Sequence, residues 1–114
     1  MICKRTLFLA VLALTFAVGA RAAEGDAQAG LNKAAMCQGC HGIQGYRVAF
    51  PEVYHVPRLG GQHPGYIVKA LQGYKSGARS NATMRAIAAQ LSEKDMADFA
   101  AYYSTGNTVT AKSK

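Results

Sequence analysis

The sequence predicts a small all-α domain that lacks enough side chains to fill its own middle. Three observations carry that expectation. Apolar residues recur at the helical period in three stretches, close to residues 26–40, 64–77 and 92–104. No convincing strand pair stands out anywhere. Between the first two stretches runs "HGIQGYRVAFPEVYHVPRLGGQ", residues 41–62, which is rich in glycine and broken by Pro51 and Pro57. A loop this long is unusual in a small domain unless it wraps something.

The chain has 114 residues and opens with Met1-Ile2-Cys3-Lys4-Arg5, a short basic start. An uncharged run, "TLFLAVLALTFAVGA", leads to Ala20-Arg21-Ala22, a small-x-small cleavage site. This is the layout of a secretory signal peptide over residues 1–22, leaving 23–114 as a single mature domain outside the cytoplasm. The apolar run is shorter than the ~20 residues of a spanning helix, so no membrane span is expected in the mature chain. An uncleaved anchor is the alternative. Cys3 goes with the leader. The net charge is +7, and losing Lys4, Arg5 and Arg21 would reduce it to +4. A domain this small buries little apolar surface and commonly needs a disulfide, a metal or another staple.

The first helix begins at Asp26, a plausible N-cap, and runs through "AQAGLNKAAMCQGC" with Ala27, Leu31, Ala34 and Ala35 at helical spacing. The second begins at Pro64, which suits a first turn, and carries Ile67, Ala70, Leu71 and Tyr74 on one face. Gly77 would end it. A shorter piece, "MRAIAAQL", precedes the third helix. That helix follows Ser92-Glu93-Lys94-Asp95, a capping box with Asp in place of Glu, and places Met96, Phe99, Ala100 and Tyr103 on its apolar face. The polar tail, residues 105–114, is expected to fray.

The chemistry is concentrated in "AAMCQGCHGIQG", residues 34–45, which contains Cys37-Gln38-Gly39-Cys40-His41. Cys-x-x-Cys-His is the attachment signature of c-type haem. Thiols about one helical turn apart can add to the two vinyl groups of one porphyrin edge, and the next residue turns its imidazole towards the iron. Three other readings compete. A zinc site could recruit Cys37 and Cys40 with His55 and His63, but the His-x7-His spacing lies outside the usual finger range. A thioredoxin-like pair would need a βαβ framework, which is missing. A disulfide across so tight a loop contributes little through chain entropy.

The segments "AGLNKAAMCQGCHGIQG", "VPRLGGQHPGYIVKALQGYKSGARSNATM" and "LSEKDMADFAAYYS", with the spacing between them, span nearly all of residues 26–104. Here the chain resembles the class I c-type cytochromes, notably the small single-haem bacterial periplasmic ones. The resemblance implies a cytochrome c-like fold, with three main helices and shorter pieces wrapped around one covalently bound haem c. Cys37 and Cys40 would form the thioethers and His41 would be one axial iron ligand. Met84, in the loop "SGARSNATMRA", matches the family's distal methionine. Met36 adjoins Cys37 on the proximal side, Met96 reads as core, and His55 and His63 are the competing ligands. The carbonyl of Pro57 matches the family's acceptor for His41, with Pro51 as its rival. The crossing of the first and last helices would bring Gly30 against Tyr102 and Tyr103. Arg58, Gln62 and Tyr66 are candidates for hydrogen bonds to the propionates. Val48, Phe50, Leu59, Ile67, Leu71 and Phe99 are among the candidates for the apolar pocket.

These readings converge on a soluble periplasmic electron carrier rather than an enzyme. No Ser/His/Asp set and no paired carboxylates stand out. Lys33, Arg47, Lys69, Lys75, Arg79 and Arg85 are candidates for a positive surface that attracts an acidic-faced redox partner, or are ordinary solvated residues. In this compartment the charge does not suggest nucleic acid. A haem subunit of a dehydrogenase or oxidase, and an open-site haem that binds a gas or acts as a peroxidase, are the alternatives.

Overall fold

The computed structural model describes residues 24–50 and 53–106. The leader, Cys3, Pro51 and residues 107–114 of the tail lie outside the described residues. The element order is α1 (Ala27–Lys33), α2 (Ala35–His41), β1 (Arg47–Val48), β2 (Tyr54–His55), α3 (Pro64–Ser76), α4 (Ala82–Ala89) and α5 (Glu93–Ser104). Among the described residues, no helix is long and apolar enough to cross a membrane.

The helix ends follow local chemistry. Asp26 caps α1, its carboxylate accepting from the backbone N–H of Gln28 at 2.8 Å and of Ala29 at 3.3 Å. His63 caps α3 through Nδ1, which accepts from the Gly65 N–H, and Pro64 takes the first turn. Gly77 closes α3 in the left-handed region at φ 85°, where a side chain would be strained. Ser92 and Asp95 cap α5 reciprocally, so the capping box forms with Asp in the fourth position.

Three expectations need correction. The first helix is not continuous. At Ala34 the chain takes ψ −9°, and the Ala34 N–H turns back to the Leu31 carbonyl at 3.2 Å, a tightened turn that separates α1 from α2. Alanine is the best helix former, so packing rather than propensity makes this break: Ala34 is buried in the core. The long loop does hold a strand pair, an antiparallel ladder pairing Arg47 with His55 and Val48 with Tyr54. Two residues per strand are too few to show an alternating pattern. Met84 lies in α4, not in a loop, because Asn81 caps that helix by accepting from the Met84 N–H at 3.0 Å.

The core lies where α5 packs against α1 on one side and α3 on the other, with α4 against α3. Met96, Phe99, Ala100, Tyr102 and Tyr103 on α5, with Ile67, Leu91 and Ala34, form it. Gly30 makes the α1–α5 crossing possible: a Cβ there would run into the Asp98 carbonyl and lie 2.8 Å from the Tyr102 Cβ. The same crossing is pinned electrostatically. Asp98, only 1 % exposed, accepts from the Asp26 N–H at 2.8 Å, from Lys94 Nζ at 2.6 Å and from Lys33 Nζ at 3.2 Å. Lys33 also reaches Asp95, so it belongs to this junction and not to a free docking surface. The tail begins in order, since Thr105 Oγ1 donates to the Tyr102 carbonyl and the Gly106 N–H to that of Tyr103.

Candidate functional site

A cavity of about 940 Å³ opens between α2, the β1–β2 loop, α3, α4 and α5. Cys37, Cys40 and His41 line it from α2, Met84 and Ile87 from α4, and Phe99 and Tyr103 from α5. Its volume is near the top of the range for small-molecule and cofactor sites. A helical separation of three puts Cys37 and Cys40 on one face of α2. Both are free thiols, each half-buried. Burial pushes the Cys37 thiol above its ordinary pKa, an effect partly offset by the Tyr103 hydroxyl. Burial likewise raises the Tyr103 phenol, which accepts from Gln38 Nε2 at 3.3 Å.

His41 ends α2, and its Nδ1 lies 2.6 Å from the Pro57 carbonyl oxygen. A carbonyl can only accept, so Nδ1 carries a proton, and in the neutral ring Nε2 is then the nitrogen with the lone pair. Pro57, Arg58, Gln62 and Tyr66 all line the cavity. Gln62 Oε1 accepts from the neighbouring His63 N–H, and the Tyr66 hydroxyl takes a hydrogen bond from Arg79 Nη1 at 3.4 Å. Met36 and His55 also reach the cavity wall, whereas Met96 is fully buried outside it. His63 is spent on the α3 cap and does not line the cavity. Among the described residues, no three His, Cys, Asp or Glu side chains gather as a metal site.

The residues fit a flat, mostly apolar, covalently tethered cofactor with a metal at its centre. Two thiols flank one imidazole whose free nitrogen is defined, a thioether stands in the same cavity, and Ile67, Leu71, Leu91 and Phe99 supply apolar wall. The Cytochrome c family model matches residues 27–106, nearly the whole described region. The chain belongs to the cytochrome c family. Cytochromes c are electron carriers, not enzymes, and their cofactor is covalently bound haem c.

Relatives agree with this assignment. The chain is 36% identical over 99 residues to cytochrome c4 of Pseudomonas aeruginosa, covering 87% of this chain and 47% of that protein. It is 40% identical over 84 residues to cytochrome c-554(548) of Halomonas halodenitrificans, covering 71% of this chain and 96% of that one. It is 43% identical over 90 residues to a thiosulfate dehydrogenase electron acceptor of Stutzerimonas stutzeri, covering 75% and 40%. The solved cytochrome c4 of Acidithiobacillus ferrooxidans superposes with a TM-score of 0.57 at 32% identity, covering 72% of this chain and 50% of that one. The chain thus spans about half the length of the cytochromes c4 it matches.

The sequence expectation names Cys37, Cys40, His41, Pro57 and Met84 as site residues, and the structure places all five on one cavity. That expectation missed Asn81, which orients the first turn of α4 beneath Met84. An Asn followed by helix formers was the available signal. The same expectation grouped Arg79 with a positive surface beside the haem edge or with ordinary solvated residues, and the structure places Arg79 on the cavity wall.

Proposed function

We propose that the chain is a diffusible periplasmic electron carrier, exported by residues 1–22 and folded as one domain over 23–114. When bound, the haem supplies one-electron exchange between Fe(II) and Fe(III). Cys37 and Cys40 would hold it by thioethers, His41 Nε2 and the Met84 thioether would hold its iron, and the Pro57 carbonyl fixes the His41 ring. The observation that carries this reading is His41, whose Nδ1 is committed to Pro57 at 2.6 Å while two thiols and the Met84 thioether share its cavity. A group held by both His41 and Met84 would have no place left at its iron for a substrate, which favours a carrier over a gas-binding or peroxidase site. The apolar walls keep water from the centre, and a Met/His pair favours a higher potential than harder ligands do.

Absorption spectra test the reading. The exported protein is matured in a host that attaches c-type haem, and spectra are taken oxidised and reduced, with and without carbon monoxide, beside Met84→Ala. A low-spin spectrum indifferent to carbon monoxide, with the far-red sulfur-to-iron band lost in the variant, is the expected outcome. A spectrum unchanged in Met84→Ala would move the ligand to His55. Carbon monoxide binding by the parent protein would favour the open-site reading.

One observation favours a second reading, a haem subunit of a larger assembly. Phe50 is 84% and Val53 70% exposed, and both line the cavity. Sedimentation of the exported protein separates the two: a carrier runs as a lone chain in its native extract, a subunit in a complex.

A further inference from the structure

Arg79 has a setting that neither docking nor simple solvation explains. It is half-buried and lines the cavity. Its guanidinium carbon lies 4.6 Å from the Tyr74 ring centre and 5.8 Å from that of Tyr66, and Nη1 donates to the Tyr66 hydroxyl at 3.4 Å. The backbone is tied as well, since the Arg79 N–H donates to the Gly73 carbonyl at 3.0 Å.

Gly73 explains how the side chain gets there. It sits inside α3, where glycine costs about 1 kcal/mol relative to alanine. A Cβ at Gly73 would lie 3.0 Å from Arg79 Cγ and 3.1 Å from Cδ. The bare helix surface at Gly73 is the saddle over which the aliphatic stem of Arg79 crosses α3. The chain accepts a weak helix position, and the head group is held between two tyrosines at the cavity.

What it faces there is unbalanced charge. The described residues lining the cavity include Arg58 and Arg79 and no Asp or Glu. Among the described residues, the carboxylates in ion pairs are Asp95 and Asp98, and their partners are Lys33 and Lys94. A guanidinium is always charged and presents a planar fork that matches a carboxylate. An occupant that carries a carboxylate would find this cation presented to it at the cavity wall.

We propose that Arg79 is a positioning residue for the cofactor: seated over Gly73 and gripped by Tyr66 and Tyr74, its guanidinium pairs with a carboxylate of the bound porphyrin. This rests on the reading that the cavity holds a covalently attached haem. The pairing neutralises one negative charge of the porphyrin, which keeps Fe(II) favoured relative to Fe(III).

The test uses the matured holoprotein with Arg79→Gln and Arg79→Lys. The parent's spectrum comes first; absence of attached haem there defeats the underlying reading and not the role of Arg79 alone. With haem attached, Arg79→Gln is expected to lower the midpoint potential. The shift should be on the order of a tenfold change in the one-electron equilibrium, about 59 mV. Arg79→Lys keeps the charge but loses the fork, so its shift should be smaller. Resonance Raman of the propionate bending mode should move in both variants, and the Lys variant supplies this readout even if the Gln variant is not recovered. A purely structural arginine would lower thermal stability yet leave the potential and the propionate mode at their parent values, and that result would overturn the proposal.

Discussion

At Asp98 one buried carboxylate joins the start of α1 to the middle of α5. The Asp26 N–H, then Lys94, then Lys33 stabilise its charged form, holding its pKa down at about 2. An unfolded aspartate titrates near 3.9. A depressed folded value means the stabilisation is complete above about pH 4 and is lost as the pH falls towards 2. Asp98→Asn keeps the shape but gives up the charge. It should cost about 1–3 kcal/mol at pH 7 in denaturant unfolding, and the gap between variant and parent should close as the pH is lowered from 4 to 2. A gap that stayed constant through that range would assign the effect to packing. Single residues were read with uneven success, and the reason is physical. Cys37, Cys40 and His41 lie within one helical turn, so the sequence itself displays their geometry. Lys33 and Arg79 read as surface charge because their partners, Asp98 and Tyr74 among them, are set by contacts between separate elements.

Among the elements, the helix starts were the most legible parts, because a cap is a contact within a few residues. Asp26, Pro64 and Ser92 mark real helix beginnings. The break at Ala34 and the Arg47–Val48 ladder were not legible. The first is imposed by packing on a good helix former, and the second is too short to carry a period. Glycines divide in the same way. Gly30→Ala forces a Cβ into the α5 backbone, and overpacking of this kind costs typically about 1–3 kcal/mol, at times more. Gly39, also inside a helix, has nothing within 4 Å of the position its Cβ would take. Gly39→Ala should therefore leave stability unchanged or raise it by about 0.5–1 kcal/mol. Thermal unfolding of the two matured variants checks both, and equal effects would mean that the α1–α5 crossing is looser than its geometry.

For the whole molecule, the question is what fills its middle. The buried core belongs mainly to α5 and its neighbours, while α2 and the loop after it face a cavity of about 940 Å³. Without an occupant this largely apolar wall faces water, so the burial that would hold α2, α3 and α4 around it is lost and their packing should loosen. The short loop ladder, exposed on most of its surface, cannot hold that wall in place by itself. A Cys37→Ser/Cys40→Ser double variant, which cannot form thioethers, should accordingly lack a cooperative thermal transition. It should keep far-ultraviolet helical dichroism from the α1–α5 crossing but lose the near-ultraviolet signal of its tyrosines. Proton–nitrogen correlation spectra should show dispersed resonances, if any, for α1 and α5 alone. A haem-free chain with full dispersion and a sharp transition would mean that the fold closes without its cofactor. The cavity would then be a preformed container and not a gap that the cofactor completes.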